Sequence, residues 1–266
     1  MSTQQRILVI TDCTDIAASE LHATLVANLD SLNANHVVVE PVVGVQEFSI
    51  LHGSFSARLL AESYLPGSLT ILAVVNPLDT ANSKRARIAG ILENGIRFVG
   101  ANTGIFSWLI KDFGLRELVE TDPTGLRGDG FISFGGKYIH APIAAKFAAT
   151  GDINSVKVGD FNEDELLTVQ FEQGTVVHID NFGVAKLFYK SDEFLAQPGD
   201  TFKLTVQGHE IGEATYCHSM KELTDGTVAI YKGSSLGMLE IGIVRHLDTA
   251  QKLGLSIGDV VSIVPR

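Results

Sequence analysis

Apolar residues in the first half of the chain fall into two kinds of run. One kind is short and nearly unbroken: "RILVIT" at 6–11, "HVVVEPVVGV" at 36–45 and "LTILAVV" at 69–75. Runs of that length and density fit strands covered on both faces. The other kind is spaced. In "DIAASELHATLVANL" (15–29), Ile16, Leu21, Leu25 and Leu29 recur at near-helical intervals behind Asp15, a natural N-cap. "SFSARLLAESYL" (54–65) reads as a second helix, stopped near Pro66-Gly67. "RARIAGILENGIRFVGAN" (85–102) reads as two strands around an Asn94-Gly95 turn. A short helix, "GIFSWLIKDFG", and a strand, "RELVET", follow. "HAPIAAKFAATG" (140–151) is helical, with Pro142 in its first turn and Gly151 near its end.

Strands alternating with helices predict an α/β N-terminal domain with a doubly wound, mostly parallel sheet. Beyond about residue 150 the pattern changes. From "GTVVHIDNFG" onward, short apolar runs are divided by "QPGD", "GHEIG", "TDGT" and "SIGD", with one short helix near 247–253. That spacing predicts a smaller antiparallel barrel or sandwich. The boundary is expected within Gly151–Gly159, giving domains 1–153 and 154–266, the second taken as a C-terminal antiparallel β-barrel domain.

Composition narrows the function classes. The 266 residues, 45% of them hydrophobic, suffice for two ordinary domains. A net charge of −11, from 20 basic and 31 acidic residues, argues against nonspecific nucleic-acid binding. No apolar run approaches the roughly 18 residues of a membrane span. "MSTQQR" lacks the apolar region of a signal peptide, so a cytoplasmic location is expected. Cys13 and Cys217 match neither a zinc spacing nor a disulfide framework, and no metal is expected. Each fits a small core residue.

The candidate chemistry lies where strands end. Asp12 follows a buried strand directly, where open α/β sheets gather ligands. It either caps the next helix or accepts the two hydroxyls of a sugar. Asn76 and Asp79 follow the strand 69–75, in a loop that also holds Lys84 and Arg85. They either make an ordinary turn or share a crevice with Asp12. In "FGGKYIHAP" (134–142), Gly135 and Gly136 let a ligand approach the backbone or simply make a tight turn. His140 in that stretch reads as structural. "IDNFG" (179–183), "TYCHS" (215–219) and "GSSLG" (233–237) add Asp180, Phe182, Tyr216, His218 and Ser235, each also ordinary turn material.

Taken in order, these pieces resemble the S-adenosylmethionine hydroxide adenosyltransferase family, which includes fluorinases and chlorinases. "ITDCTD" is similar to its opening strand and Thr-Asp-Phe-Gly turn. "GSFSARLLAESYLPGSLTILAVVNP" is similar to its helix, Pro-Gly turn and strand. "RFVGANTG", "FGGKYIHAPIAAKFA", "IDNFG" and "YKGSSLGMLEIGI" resemble its later elements. The resemblance implies a homotrimer with S-adenosylmethionine, as substrate rather than cofactor, held between the α/β domain of one subunit and the barrel of its neighbour. It implies that Asp12 binds the ribose hydroxyls and that Phe134 lines the ribose and C5′. It also implies Asp180 on the methionine amino group, Phe182 and Tyr216 near adenine, and Ser235 near the methionine end.

The resemblance also implies what is missing. Water-using members carry an Asp-Arg-His set. Here Asn76 stands at the Asp position, Lys84 or Ser83 at the Arg position and Gly135 at the His position. Val184 replaces an asparagine. Asparagine is no general base, and such a group is worth about 10²–10⁴ in rate. Asp79 is the one nearby carboxylate able to orient or deprotonate a water; it would repel a halide. With Asp79, Asn76 and Lys84 as the catalytic candidates, two readings stand. One is hydrolysis of S-adenosylmethionine by water at C5′. The other is a catalytically degenerate protein that binds S-adenosylmethionine or another adenosine derivative without turnover.

Overall fold

A computed structural model describes residues 4–78, 85–122 and 133–266, which divide into the compact units Met1–Val169 and Gln170–Arg266. In the first unit, β1 (Gln5–Thr11) leads into α1 (Ile16–Ser31), whose Leu21, Leu25 and Leu29 are buried. Ile16 precedes that stripe by five residues rather than three or four. It points away, 76% exposed, and is not the core residue its spacing suggested. The run 36–45 is two strands, not one. Glu40-Pro41 divides β2 (Val37–Val39) from β3 (Val43–Gly44), both parallel to β1. Proline supplies no ladder donor at that break. α2 (Ile50–Ala61) begins four residues before the expected helix, because Ser49 accepts the His52 amide at 3.2 Å and caps it there.

β4 (Leu69–Val74), β5 (Arg87–Leu92), β6 (Arg97–Ala101), α3 (Ser107–Phe113), β7 (Leu115–Thr121), α4 (Ala141–Thr150) and β8 (Lys157–Asp160) complete the unit. The strand order is β2-β1-β4-β6-β5-β7-β8, with β3 also on β1. β1, β2, β3, β4 and β6 run parallel; β5, β7 and β8 are antiparallel to their neighbours, so the sheet is mixed beyond β6. Alternation along β1 shows why both faces are covered. Ile7 and Val9 join one core with α1 and α4, while Leu8 and Ile10 join the other with α2 and α3. Because β8 pairs with β7, the first unit continues past the expected boundary region.

The second unit contains β9 (Val176–Ile179), β10 (Ala185–Lys190), β11 (Thr201–Val206), β12 (His209–Tyr216), β13 (Val228–Lys232), β14 (Met238–Ile243), α5 (Thr249–Leu253) and β15 (Val261–Pro265). They form one curled sheet in the order β15-β11-β12-β13-β14-β10-β9, antiparallel except between β12 and β13. Phe194, Phe202, Leu204, Leu239 and Ile241 fill its concave face. At its two edges the Val176 amide donates to Asp259 O at 2.7 Å, and the Gly258 amide to Val176 O at 2.8 Å.

Candidate functional site

In the first unit, the carboxyl ends of the parallel strands open into a cavity of about 470 Å³. Asp12 follows β1, Val75 and Asn76 follow β4, and Ala101 ends β6; all four line it. β5 reverses direction, pairing Arg87 with Ala101, so its first residue rather than its last reaches this edge. Ser133, Phe134, Gly135, Gly136 and His140 form a further wall, and Cys13, Phe48 and Arg85 complete the lining. A π-helical turn at Gly136–His140 runs directly into α4. Such turns recur at functional sites because they re-aim side chains.

The helix-cap reading of Asp12 does not hold. Asp15 caps α1 through its Oδ1, which accepts the Ala17 amide at 2.9 Å. Asp12 is half-buried, and its Oδ2 accepts the Phe48 amide at 3.0 Å across 36 residues of sequence. That bond ties Phe48, at φ 58°, to the cavity lining and engages one of the two carboxylate oxygens. Gly136 is required by packing, since a Cβ there would meet Val74 Cγ1 at 2.5 Å. Gly135 is not. Its backbone is helical, and the nearest neighbour of a Cβ would be Ile139 Cδ1 at 4.0 Å.

His140 is 7% exposed, and its Nδ1 has no hydrogen-bond partner among the described residues. Burial first, and then the positive charge of Arg87, lower its pKa to about 4, so the imidazole is neutral at physiological pH. Arg87 is half-buried and has no hydrogen-bond or ion-pair partner among the described residues. Asp12 is the one acid among the described lining residues, against Arg85 and Arg87. Cys13 is a half-buried wall residue rather than a core residue, whereas Cys217 is buried as expected.

In the second unit Asp180 begins the turn from β9 to β10. Its Oδ1 accepts the amides of Phe182 and Val184, both at 2.9 Å, so the turn reading of this residue holds for that oxygen. Asp180, Asn181 and Gly183 line an open depression of about 550 Å³ with residues of and around α5. Gly183, at φ 81°, lies so close to α5 that a Cβ would meet Asp248 Cα at 2.5 Å. Phe182 stands 57% exposed. Tyr216 lies against the Phe194 ring at 5.8 Å and the His218 ring at 6.1 Å. Ser235 is buried, and neither Tyr216 nor Ser235 lines the depression. On the convex face, Lys186 forms a buried ion pair with Glu240, and Gly233 packs on the Glu240 carboxylate, anchoring the loop that carries Ser235.

The structure therefore brings Asp12, Asn76 and Phe134 to one cavity and Asp180 to another. Asp79 and Lys84 lie outside the described residues. Phe48, Arg87 and His140 are additions to the cavity that the reading of the chain did not select. Among the described residues no group of His, Cys, Asp and Glu side chains is arranged to hold a metal, and no helix is long and apolar enough to cross a membrane.

Comparison with known proteins covers nearly the whole chain. Residues 7–157 match the SAM hydroxide adenosyltransferase N-terminal domain, and residues 174–262 match the C-terminal domain of the same name. An (R)-S-adenosyl-L-methionine hydrolase from Methanocaldococcus jannaschii is 24% identical over 255 residues, covering 92% of this chain and 91% of that protein. The fold is similar to that of an uncharacterized conserved protein from Thermotoga maritima, with a TM-score of 0.80 at 20% identity over 97% of this chain and 99% of the other. A conserved hypothetical protein from Thermus thermophilus is similar at a TM-score of 0.72 and 20% identity, over 98% and 100% of the two chains.

Proposed function

Because the chain belongs to the S-adenosylmethionine hydroxide adenosyltransferase family, we propose that it hydrolyses S-adenosylmethionine to adenosine and methionine. The observation that carries this reading is Asp12. It lies at the end of β1, free of capping duty, in a cavity it shares with Asn76 and Phe134. In this reading Asp12 grips the two ribose hydroxyls and Phe134 covers the C5′ end. A water oxygen bonds to C5′ as the C5′–S bond breaks, and the electron pair of that bond returns to sulfur, releasing neutral methionine. Asn76 orients the water by hydrogen bonding. Asp79 accepts its proton, and Lys84 helps to position the water. Orientation alone can contribute about 7–11 kcal/mol to such a step.

Asp180, Phe182, Tyr216 and Ser235 are assigned to the methionine and adenine ends, the site is completed between subunits of a homotrimer, and no further cofactor takes part. The (R)-S-adenosyl-L-methionine hydrolase from Methanocaldococcus jannaschii supports this substrate and reaction. The degenerate reading is favoured by Asn76 and Gly135, which remove a carboxylate and an imidazole from the site. Incubation of pure protein with S-adenosylmethionine decides between them. Hydrolysis gives adenosine and methionine in equal amounts, lost or sharply slowed in Asp79→Ala. A stoichiometric complex without products establishes the binder. A particle mass other than three times the 28.6 kDa protomer overturns the trimer.

A further inference from the structure

The cavity in the first unit is lined by hydrogen-bond donors that the hydrolysis reading leaves idle. Arg87 is half-buried there, and among the described residues nothing accepts from its guanidinium. A cation held on a cavity wall without a counter-ion costs free energy unless a ligand supplies the negative charge. His140 is more than nine-tenths buried, and among the described residues its Nδ1 has no partner. Burial and the neighbouring Arg87 keep the ring neutral, so it can donate an N–H without adding a second charge. Gly135 and Gly136 line the same cavity, where the helical segment leading into α4 begins. The first N–H groups of a helix have no intrahelical acceptor and carry its positive dipole end. In a chain with a net charge of −11, a cavity that holds Arg87, unpartnered among the described residues, is locally positive there. The sulfonium of S-adenosylmethionine gives such a site nothing to bind, and the proposed function places the methionine end, with its carboxylate, at the residues grouped with Asp180.

We propose that Arg87, His140 and the Gly135–Gly136 turn form a binding site for a phosphate-class oxyanion beside the nucleoside held by Asp12. The planar guanidinium matches two oxygens of such a group at once, the imidazole serves a third, and the helix start supplies backbone donors. The oxyanion comes either from a nucleoside 5′-phosphate or from free inorganic phosphate seated with an unphosphorylated nucleoside. The proposal rests on the nucleoside site described above but not on turnover.

Calorimetric titration of the full-length protein tests it, using adenosine, adenosine 5′-monophosphate and inorganic phosphate as probes. If the phosphate is carried on the nucleoside, adenosine 5′-monophosphate binds at least about tenfold tighter than adenosine. If it is free, saturating inorganic phosphate tightens adenosine binding by a similar factor. Arg87→Gln removes whichever effect is present, and Arg87→Lys retains part of it. Unchanged melting temperatures establish that both variants fold. The proposal is overturned if neither effect exists in the wild type, or if the effect survives in Arg87→Gln. Should adenosine fail to bind at all, the nucleoside site is wrong. Inorganic phosphate titrated alone then still decides the anion site, by binding the wild type and not Arg87→Gln or by failing to bind.

Discussion

The two cavities are built differently. The one in the first unit is assembled from places far apart in sequence: the ends of β1, β4 and β6, the start of β5 and the turn before α4. Its key acid, Asp12, is released from local work because Asp15 caps α1 instead. The depression in the second unit is largely local. Asp180 commits one oxygen to its own turn, and Phe182 projects into solvent beside it. Preformed, partly buried polar groups bind a small molecule strongly. An exposed ring on a tight turn gains most when another surface covers it. The contrast is between a recessed set of polar groups drawn from distant segments and a shallow turn whose ring is left to solvent.

The largest expected effect comes from altering the chemistry of the first cavity. Gly135 has helical dihedrals and room for a side chain, and Asn76 is exposed. Gly135→His with Asn76→Asp restores the imidazole and carboxylate that the family resemblance places there. Adenosine release from S-adenosylmethionine is expected to rise by about 10²–10⁴, the usual range for a positioned acid–base group. An unchanged rate would show that the cavity does not hold C5′ near these positions. Next in size is the paired test of the two acids. Asp12→Ala is expected to weaken adenosine binding by roughly 100-fold, as two hydrogen bonds to a charged group are lost. Asp180→Ala is expected to lower the stability of the second unit by about 1–2 kcal/mol, because two turn amides lose their acceptor. Equal binding losses without a stability difference would erase the contrast between the regions.

How far this contrast could be read from the chain depends on locality. β1 and β4 were legible because an apolar run breaks abruptly at Asp12 and at Asn76-Pro77. The turn chemistry of Asp180 was legible because Asp-Asn-Phe-Gly is local. Arg87 was missed, although a signal existed. Two strands around Asn94-Gly95 make a hairpin, and a hairpin whose second strand joins the parallel set must bring the start of its first strand to the ligand edge. Phe48 left no such signal, since its place depends on a positive φ and on the long-range bond to Asp12. His140 looked structural because nothing in the spacing shows that its ring is buried without a partner.

His140 also sets a pH limit on the first unit. Its folded-state pKa is near 4, below the ordinary 6.5, so the folded state resists a proton that the unfolded chain accepts. The neutral ring costs nothing above pH 6.5. As pH falls from 6.5 to 4 the unfolded state gains protons first, and stability declines by up to about 3 kcal/mol before levelling off below pH 4. Urea unfolding of wild type against His140→Gln across that window measures this. A parallel decline in both proteins would assign the loss to other groups.

The smallest expected effect sharpens the comparison most directly. Phe182 is 57% exposed, so Phe182→Ala removes little packing from the protomer, and its unfolding free energy is expected to move by less than about 0.5 kcal/mol. If the ring closes over adenine, its loss costs a few-fold in affinity for S-adenosylmethionine, in line with roughly 0.5–1.5 kcal/mol for an aromatic contact. If the ring instead seals a subunit contact, the affinity loss tracks dissociation of the assembly and disappears at high protein concentration. Measuring affinity at two protein concentrations, with particle mass followed in the same samples, separates the two. An affinity unchanged at both would leave the exposed turn without a part in closure and confine recognition to the cavity around Asp12.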